Sequence, residues 1–216
     1  MKAKTHDSLK EIHNRYLGER LFVFGTGPSL LGMDQKLLFK LGDEFTFATN
    51  KLFKWRDMPF NPQFHALSEA EDMPHLFEYA KTTYQFACHW GPIKQTGWTW
   101  VPKAEDGVCI WTHGMQGLGD TLSPLPSGAS TPITAGVQLG AWMGFDPSYL
   151  LGCDNSGMGQ VFDVNETRGT IHPMRTRESA QRCYQDMKAA GRELIDLTPT
   201  KGLVLSSWMT LEKAIG

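Results

Sequence analysis

Phe22-Val23-Phe24-Gly25-Thr26-Gly27-Pro28-Ser29-Leu30 is the stretch from which the rest of the chain can be read. A short apolar run ends in a glycine turn, and a helix-like pattern follows. This is the layout of a phosphate-binding loop at the carboxyl end of a first parallel strand. Gly25 and Gly27 can take φ > 0 and let the backbone approach a ligand closely. Pro28 gives up a donor but presets φ for a turn or a first helical position. Ser29 can cap a helix whose N-terminus attracts an anion. A tight βα turn without a ligand uses the same residues, so the loop alone leaves both readings open. No Gly-Lys-Ser/Thr follows, which excludes a P-loop. Leu30 stands where the dinucleotide fingerprint needs its third glycine.

Outward from this loop, strands are expected at Leu21–Gly25, Glu44–Asn50, Gln63–Leu67, Tyr84–His89, Val108–Thr112, Ser148–Gly152 and Leu194–Leu197. Helices are expected over residues 1–19, Leu30–Leu41, Thr131–Gly144, Arg177–Gly191 and Ser206–Ile215. Strand–helix alternation predicts an α/β fold, a Rossmann-like three-layer sandwich with a mainly parallel sheet. Residues 1–20 read as a helical lead-in and 21–216 as one nucleotide-binding catalytic domain. Ser68–Tyr79 reads as an acidic loop with a short helix. Gly114–Ser130 is a long Gly/Ser/Pro-rich loop, either a lid or plain surface.

Composition narrows the function classes. At 216 residues the chain fits one domain with a substantial core. A net charge of −2 carries no strong signal for nucleic acid or a membrane surface. No apolar run approaches the ~18–20 residues of a membrane span, and Met1–Glu19 lacks the apolar core of a secretory signal. Cys88, Cys109, Cys153 and Cys183 are scattered without a C-x-x-C pair, which suggests free thiols in a reducing, cytoplasmic setting.

In parallel sheets, ligands bind outside the carboxyl ends of the strands, and Gly25, Asn50, Asp154 and Thr198 all fall at such ends. Asn50 either meets a base or ribose edge or caps its own loop. Asp154 can orient a ligand hydroxyl, hold a metal ion or cap the turn Asn155-Ser156-Gly157. A metal there would need Asp163, Glu69 or ligand phosphates, by which Mg²⁺ is often held. His172, kept extended by Pro173, is the general-base candidate. Arg175 and Arg177 beside it can pair with phosphate or simply start a solvated helix. His65, His89 and His113 lie in or beside strands and read as structural, and His6, His13 and His75 as surface residues. Ser127-Gly128-Ala129-Ser130-Thr131 is either a second anion nest or a helix cap. Without a G-x-S-x-G elbow, serine hydrolase chemistry is not expected. Trp90, Trp98 and Trp100 either stack on a ligand or pack a core.

Taken together, Gly-x-Gly-Pro-Ser-Leu after the first strand, Asn after the second, a small-residue helix leading to Leu-Gly-x-Asp, and a downstream His resemble a known superfamily. It comprises the bacterial sialyltransferases of the Campylobacter type, the motility accessory factor proteins and the archaeal hydroxymethyldihydropterin pyrophosphokinases. The resemblance runs from about Leu21 to Ser207. It implies nucleotide-binding roles for Gly25, Thr26, Gly27, Ser29, Asn50, Ser130 and Thr131. It places the catalytic base at His172 and matches Gly152-Cys153-Asp154 to the family's Gly-x-Asp, with Asp154 in a catalytic role. Leu197-Thr198-Pro199-Thr200 resembles the family's Leu-x-Pro-x-Ser. Three positions depart from the pattern. Thr26 replaces an Asn, Cys153 replaces the Gln of the pyrophosphokinases, and Asn155–Phe162 lacks the two tyrosines of the sialyltransferases.

The implied activity is a glycosyltransferase that moves a sugar from a nucleotide-activated donor to an acceptor hydroxyl. Because the tyrosines are missing, a donor other than sialic acid is as well supported. The nucleotide sugar is a co-substrate and no metal is required, with Mg²⁺ as an option. The acceptor stays open among a glycan, a small molecule and a modified nucleic acid, and a homo-oligomer is an open option. The rival readings are a Mg²⁺-dependent diphosphate transferase of the hydroxymethylpterin type and a non-catalytic nucleotide-binding module.

Overall fold

The computed structural model describes residues 12–67, 84–87, 131–167 and 171–216. The strands are β1 (Leu21–Phe24), β2 (Phe45–Thr49), β3 (Phe64–Leu67), β4 (Tyr84–Ala87) and β5 (Ser148–Leu151). A hairpin of β6 (Met158–Gln160) and β7 (Asp163–Thr167) and a final β8 (Leu194–Asp196) complete them. All but the hairpin form one six-stranded sheet in the order β4-β3-β2-β1-β5-β8. Every pairing in it is parallel, with Leu21 opposite Phe45 on one side and Ser148 on the other. Parallel strands are covered on both faces, so the central ones are apolar at nearly every position. All four residues of β1 are buried.

The alternation of β1 divides the core. Leu21 and Val23 face one layer, with Phe47, Leu150 and the buried sides of α2 (Pro132–Met143) and α3 (Ile171–Ala189). Phe22 and Phe24 face the other, with Leu30, Leu52, and residues of α1 (Gln35–Lys40) and α4 (Leu211–Ile215). Helix α2 lies close on the sheet because its residues are small. A methyl on Gly140 would come within 2.5 Å of Leu21 Cδ2. In α3 the buried positions Thr176, Ser179, Ala180, Cys183 and Met187 recur at helical spacing. The fold is therefore the expected three-layer α/β sandwich.

Several boundaries differ from expectation, each for a local reason. The helix expected over Leu30–Leu41 is a 3-10 turn, Pro28–Gly32, followed by α1. Asp34 interrupts it, since its side chain accepts the Lys36 N–H and starts a new helix. Helix α3 starts at Ile171 rather than Arg177, so His172 is helical, not extended. Pro173 is tolerated in a first turn, where an N–H would have no intrahelical partner. The last helix begins only after Thr210, whose hydroxyl caps it, because Trp208 instead bridges to Asp196. Residues 12–18 form turns rather than a helix, and Tyr16 stacks on Phe145 with ring centroids 4.7 Å apart. The expected elements at Ser68–Tyr79, Val108–Thr112 and Gly114–Ser130 lie outside the described residues, as do Trp90, Trp98 and Trp100.

Candidate functional site

From β1 the chain winds outward through β2 and β3 to β4, then returns to place β5 on the other side of β1. The loops that leave β1 and β5 therefore diverge, and a crevice opens at the carboxyl edge between them. Thr26, Gly27, Asn50, Thr131 and Asp154 line a cleft at this point, joined by the turn Asn155-Ser156-Gly157 and by Thr176 of α3. Residues predicted from four separate parts of the sequence thus meet in one place.

The glycine loop is shaped by its neighbour. Gly25 N–H donates to the Leu151 carbonyl and Gly27 N–H to that of Gly152, both at 2.8 Å. Neither glycine takes the positive φ anticipated from the sequence; Gly27 has φ −68°. Glycine is needed there for contact within the chain. A Cβ on Gly25 would lie 2.5 Å from the Gly152 carbonyl oxygen, and one on Gly27 1.9 Å from Asp154 Oδ2. Gly25 and Ser29 do not line the cleft and act from behind it.

Asp154 is the bracket of the site. Its Oδ2 accepts the Ser29 N–H at 3.0 Å and the Ser29 hydroxyl at 2.8 Å, and its Oδ1 accepts the Thr200 hydroxyl at 2.8 Å. Gly202 presses on its backbone so tightly that a Cβ there would overlap the Asp154 carbonyl. After Gly27 the chain forms the five-residue turn Pro28–Gly32 rather than a longer helix, and the Ser29 N–H donates to Asp154. On the other flank, Val161 N–H of the β6–β7 turn donates to the Thr26 carbonyl at 2.8 Å.

Cys153 also lines the cleft. Burial, and secondly the carboxylates of Asp196 and Asp154, hold its thiol well above the usual range, so it stays protonated. Its N–H donates to the Thr198 hydroxyl at 3.1 Å, and Thr198 N–H donates to Asp196 Oδ1 at 2.9 Å. Burial also raises the carboxyl of Asp196, whose Oδ2 has no hydrogen-bond partner among the described residues.

Asn50 takes the left-handed conformation, φ +47°, at the end of β2. Thr131 is the N-cap of α2 in a reciprocal capping box with Thr134. The Thr134 hydroxyl also accepts from Ser179 of α3, at 3.2 Å. His172 lies in the first turn of α3, one turn before Thr176. Ser130 lies outside the described residues.

Three participants are not evident from sequence. Gly202, like the Thr200 that the resemblance of Leu197–Thr200 already marks, reaches the site only through the chain reversal after β8. Thr176 precedes Arg177, where the sequence predicts the start of α3. The β6–β7 hairpin has a three-residue strand and a glycine-rich approach, which leave little periodic signal. The Thr-Pro-Thr run after β8 was the one visible hint of a built loop.

No protein-family model and no curated protein sequence matches the chain. Among solved structures it is similar to a MAf glycosyltransferase from Magnetospirillum magneticum AMB-1, with TM-score 0.56 and 15% identity. The match covers 100% of this chain but 41% of that one, so this chain spans less than half the length of that protein. It is also similar to the Campylobacter jejuni sialyltransferase CstII, solved with the substrate analogue cytidine-5'-monophosphate. There the TM-score is 0.52 and the identity 15%, over 85% of this chain and 81% of CstII. At that identity, what the chain demonstrably shares with these two transferases is their fold.

Proposed function

We propose that the protein is a glycosyltransferase that uses a nucleotide-activated sugar. The observation that carries this reading is the convergence of Thr26, Gly27, Asn50, Thr131 and Asp154 on the crevice between β1 and β5. The shared fold of two glycosyl-transferring proteins supports it. Thr26, Asn50 and Thr131 bring hydroxyl and amide groups suited to a ribose, a base edge and a phosphate. Asp154 serves as a positioning residue that holds the glycine loop and the Thr200 loop around the donor. His172 takes the proton of the acceptor hydroxyl as that oxygen attacks the anomeric carbon. The bond from that carbon to the nucleotide's phosphate oxygen breaks, and the nucleotide leaves with the bonding pair.

A thermal-shift panel of nucleotides and nucleotide sugars, with and without Mg²⁺, tests the reading. A ligand at a hundred times its Kd should stabilise the fold by about 2.7 kcal/mol. A shift with a nucleotide and its sugar conjugate supports the transferase and names the donor. A shift only with ATP or GTP plus Mg²⁺ supports a diphosphate transferase instead. With the donor in hand, His172→Ala should lower turnover by ~10²–10⁴-fold and spare donor affinity; unchanged turnover rules His172 out as the base.

A further inference from the structure

Asn50 is one of five non-glycine residues in the left-handed region among the described residues, with φ +47°. It stands at the carboxyl end of β2 and lines the cleft. Such a conformation persists where the surroundings determine it. Two contacts do so. On its amino side, the Thr49 hydroxyl donates to the Phe24 carbonyl of β1 at 2.7 Å. On its carboxyl side, His65 Nε2 lies 2.7 Å from the Asn50 carbonyl oxygen.

His65 belongs to β3, with its backbone in register between Ala48 and Gln85. Its side chain is 1% exposed, with the Phe53 ring 6.1 Å away. A carbonyl oxygen only accepts, so Nε2 must carry the hydrogen. Burial lowers the pKa of the ring to about 4, which leaves a neutral imidazole with its proton on Nε2 at neutral pH.

We infer that His65 is a positioning residue for the cleft: its Nε2–H holds the Asn50 carbonyl, and so fixes the left-handed turn that sets Asn50 at the crevice. The inference rests on the proposed nucleotide site for its functional consequence, though not for its geometry. A histidine suits the task because it reaches across from the neighbouring strand with a single donor on a rigid ring. The same site built with an apolar residue at 65 would leave the Asn50 carbonyl without its His65 partner.

Three measurements decide it. In the wild-type protein, a long-range proton–nitrogen imidazole spectrum should show His65 neutral and protonated at Nε2; protonation at Nδ1 overturns the inference. In the ligand-free protein, backbone carbon shifts should show that His65→Leu removes the left-handed signature of Asn50 while His65→Gln, which keeps an amide donor, retains it. Unchanged Asn50 shifts in His65→Leu overturn it as well. Third, with cytidine 5'-monophosphate as probe, His65→Leu and Asn50→Gly should each weaken binding by about tenfold, the loss of one hydrogen bond. The double variant should bind no more weakly than either single one; losses that multiply mean that the residues act independently. If the wild-type protein binds none of the nucleotides, the functional reading fails on its own, and the two spectroscopic results still decide the role of His65.

Discussion

Asp154 receives three hydrogen bonds from two segments, and its variants should separate charge from connectivity. In Asp154→Ala, the amide and hydroxyl of Ser29 and the hydroxyl of Thr200 lose their acceptor. The cost should be about 1–3 kcal/mol by urea denaturation. Asp154→Asn should cost less, because an amide oxygen can still take the Ser29 pair and its NH₂ can donate to the rotatable Thr200 hydroxyl. Equal losses in the two variants would mean that the negative charge, rather than the connections, matters. Gly27→Ala places a methyl against both the Asp154 carboxylate and the Gly152 backbone. An overpacking cost of about 1–3 kcal/mol is expected, since the carbonyl at 2.5 Å cannot rotate away. At this scale the sequence marked Gly25 and Gly27 as the turn that ends β1 but not what constrains them: they are pressed by the loop after β5 rather than opened to φ > 0. That pressure comes from Gly152 and Asp154, far along the chain, and no local pattern encodes it.

Helix α2 links the core to the crevice. Its N-cap Thr131 lines the cleft, and its third residue, Thr134, meets α3 through Ser179. Thr131→Ala should destabilise the fold by about 1 kcal/mol. It should also weaken any nucleotide that the cleft binds, whereas Thr131→Ser should restore both, as read by denaturation and titration. The elements legible in sequence were those whose burial leaves a mark. The strand Leu21–Phe24 and the small-residue helix Pro132–Met143 are apolar throughout or nearly so, and both appear where expected. The expected helix over Leu30–Leu41 did not survive because Asp34 caps from within it, a competition between local hydrogen bonds and helical periodicity. Helix α3 begins earlier than expected because Pro173, which disfavours helix at the residue before it, is still compatible with a helix in its first turn.

For the molecule as a whole, the burial of His65 makes stability depend on pH. Its folded-state pKa is lowered to about 4 from 6.5. The unfolded chain therefore takes up a proton that the native state refuses, and stability falls as pH drops through this window. The loss should reach about 3 kcal/mol near pH 4. Asp196 acts in the opposite sense, because its raised pKa favours the native state on acidification. Denaturation at a series of pH values should show a shallower acid slope in His65→Gln than in the wild type; equal slopes would place the loss elsewhere.

The bracket at Asp154 also bears on when the cleft can exist during synthesis. It joins Ser29 to a residue 125 positions later, and that residue to Thr200, another 46 positions on. Contacts so distant in sequence form late, after long loops have closed. A nascent chain that has emerged only as far as Leu197 carries every described residue that lines the cleft, yet lacks the hydroxyl and the glycine that clasp Asp154. Capture of ligand would then report that the chain beyond Leu197 has emerged, with Thr200 and Gly202 acting as the latch on a site to which they contribute no described wall.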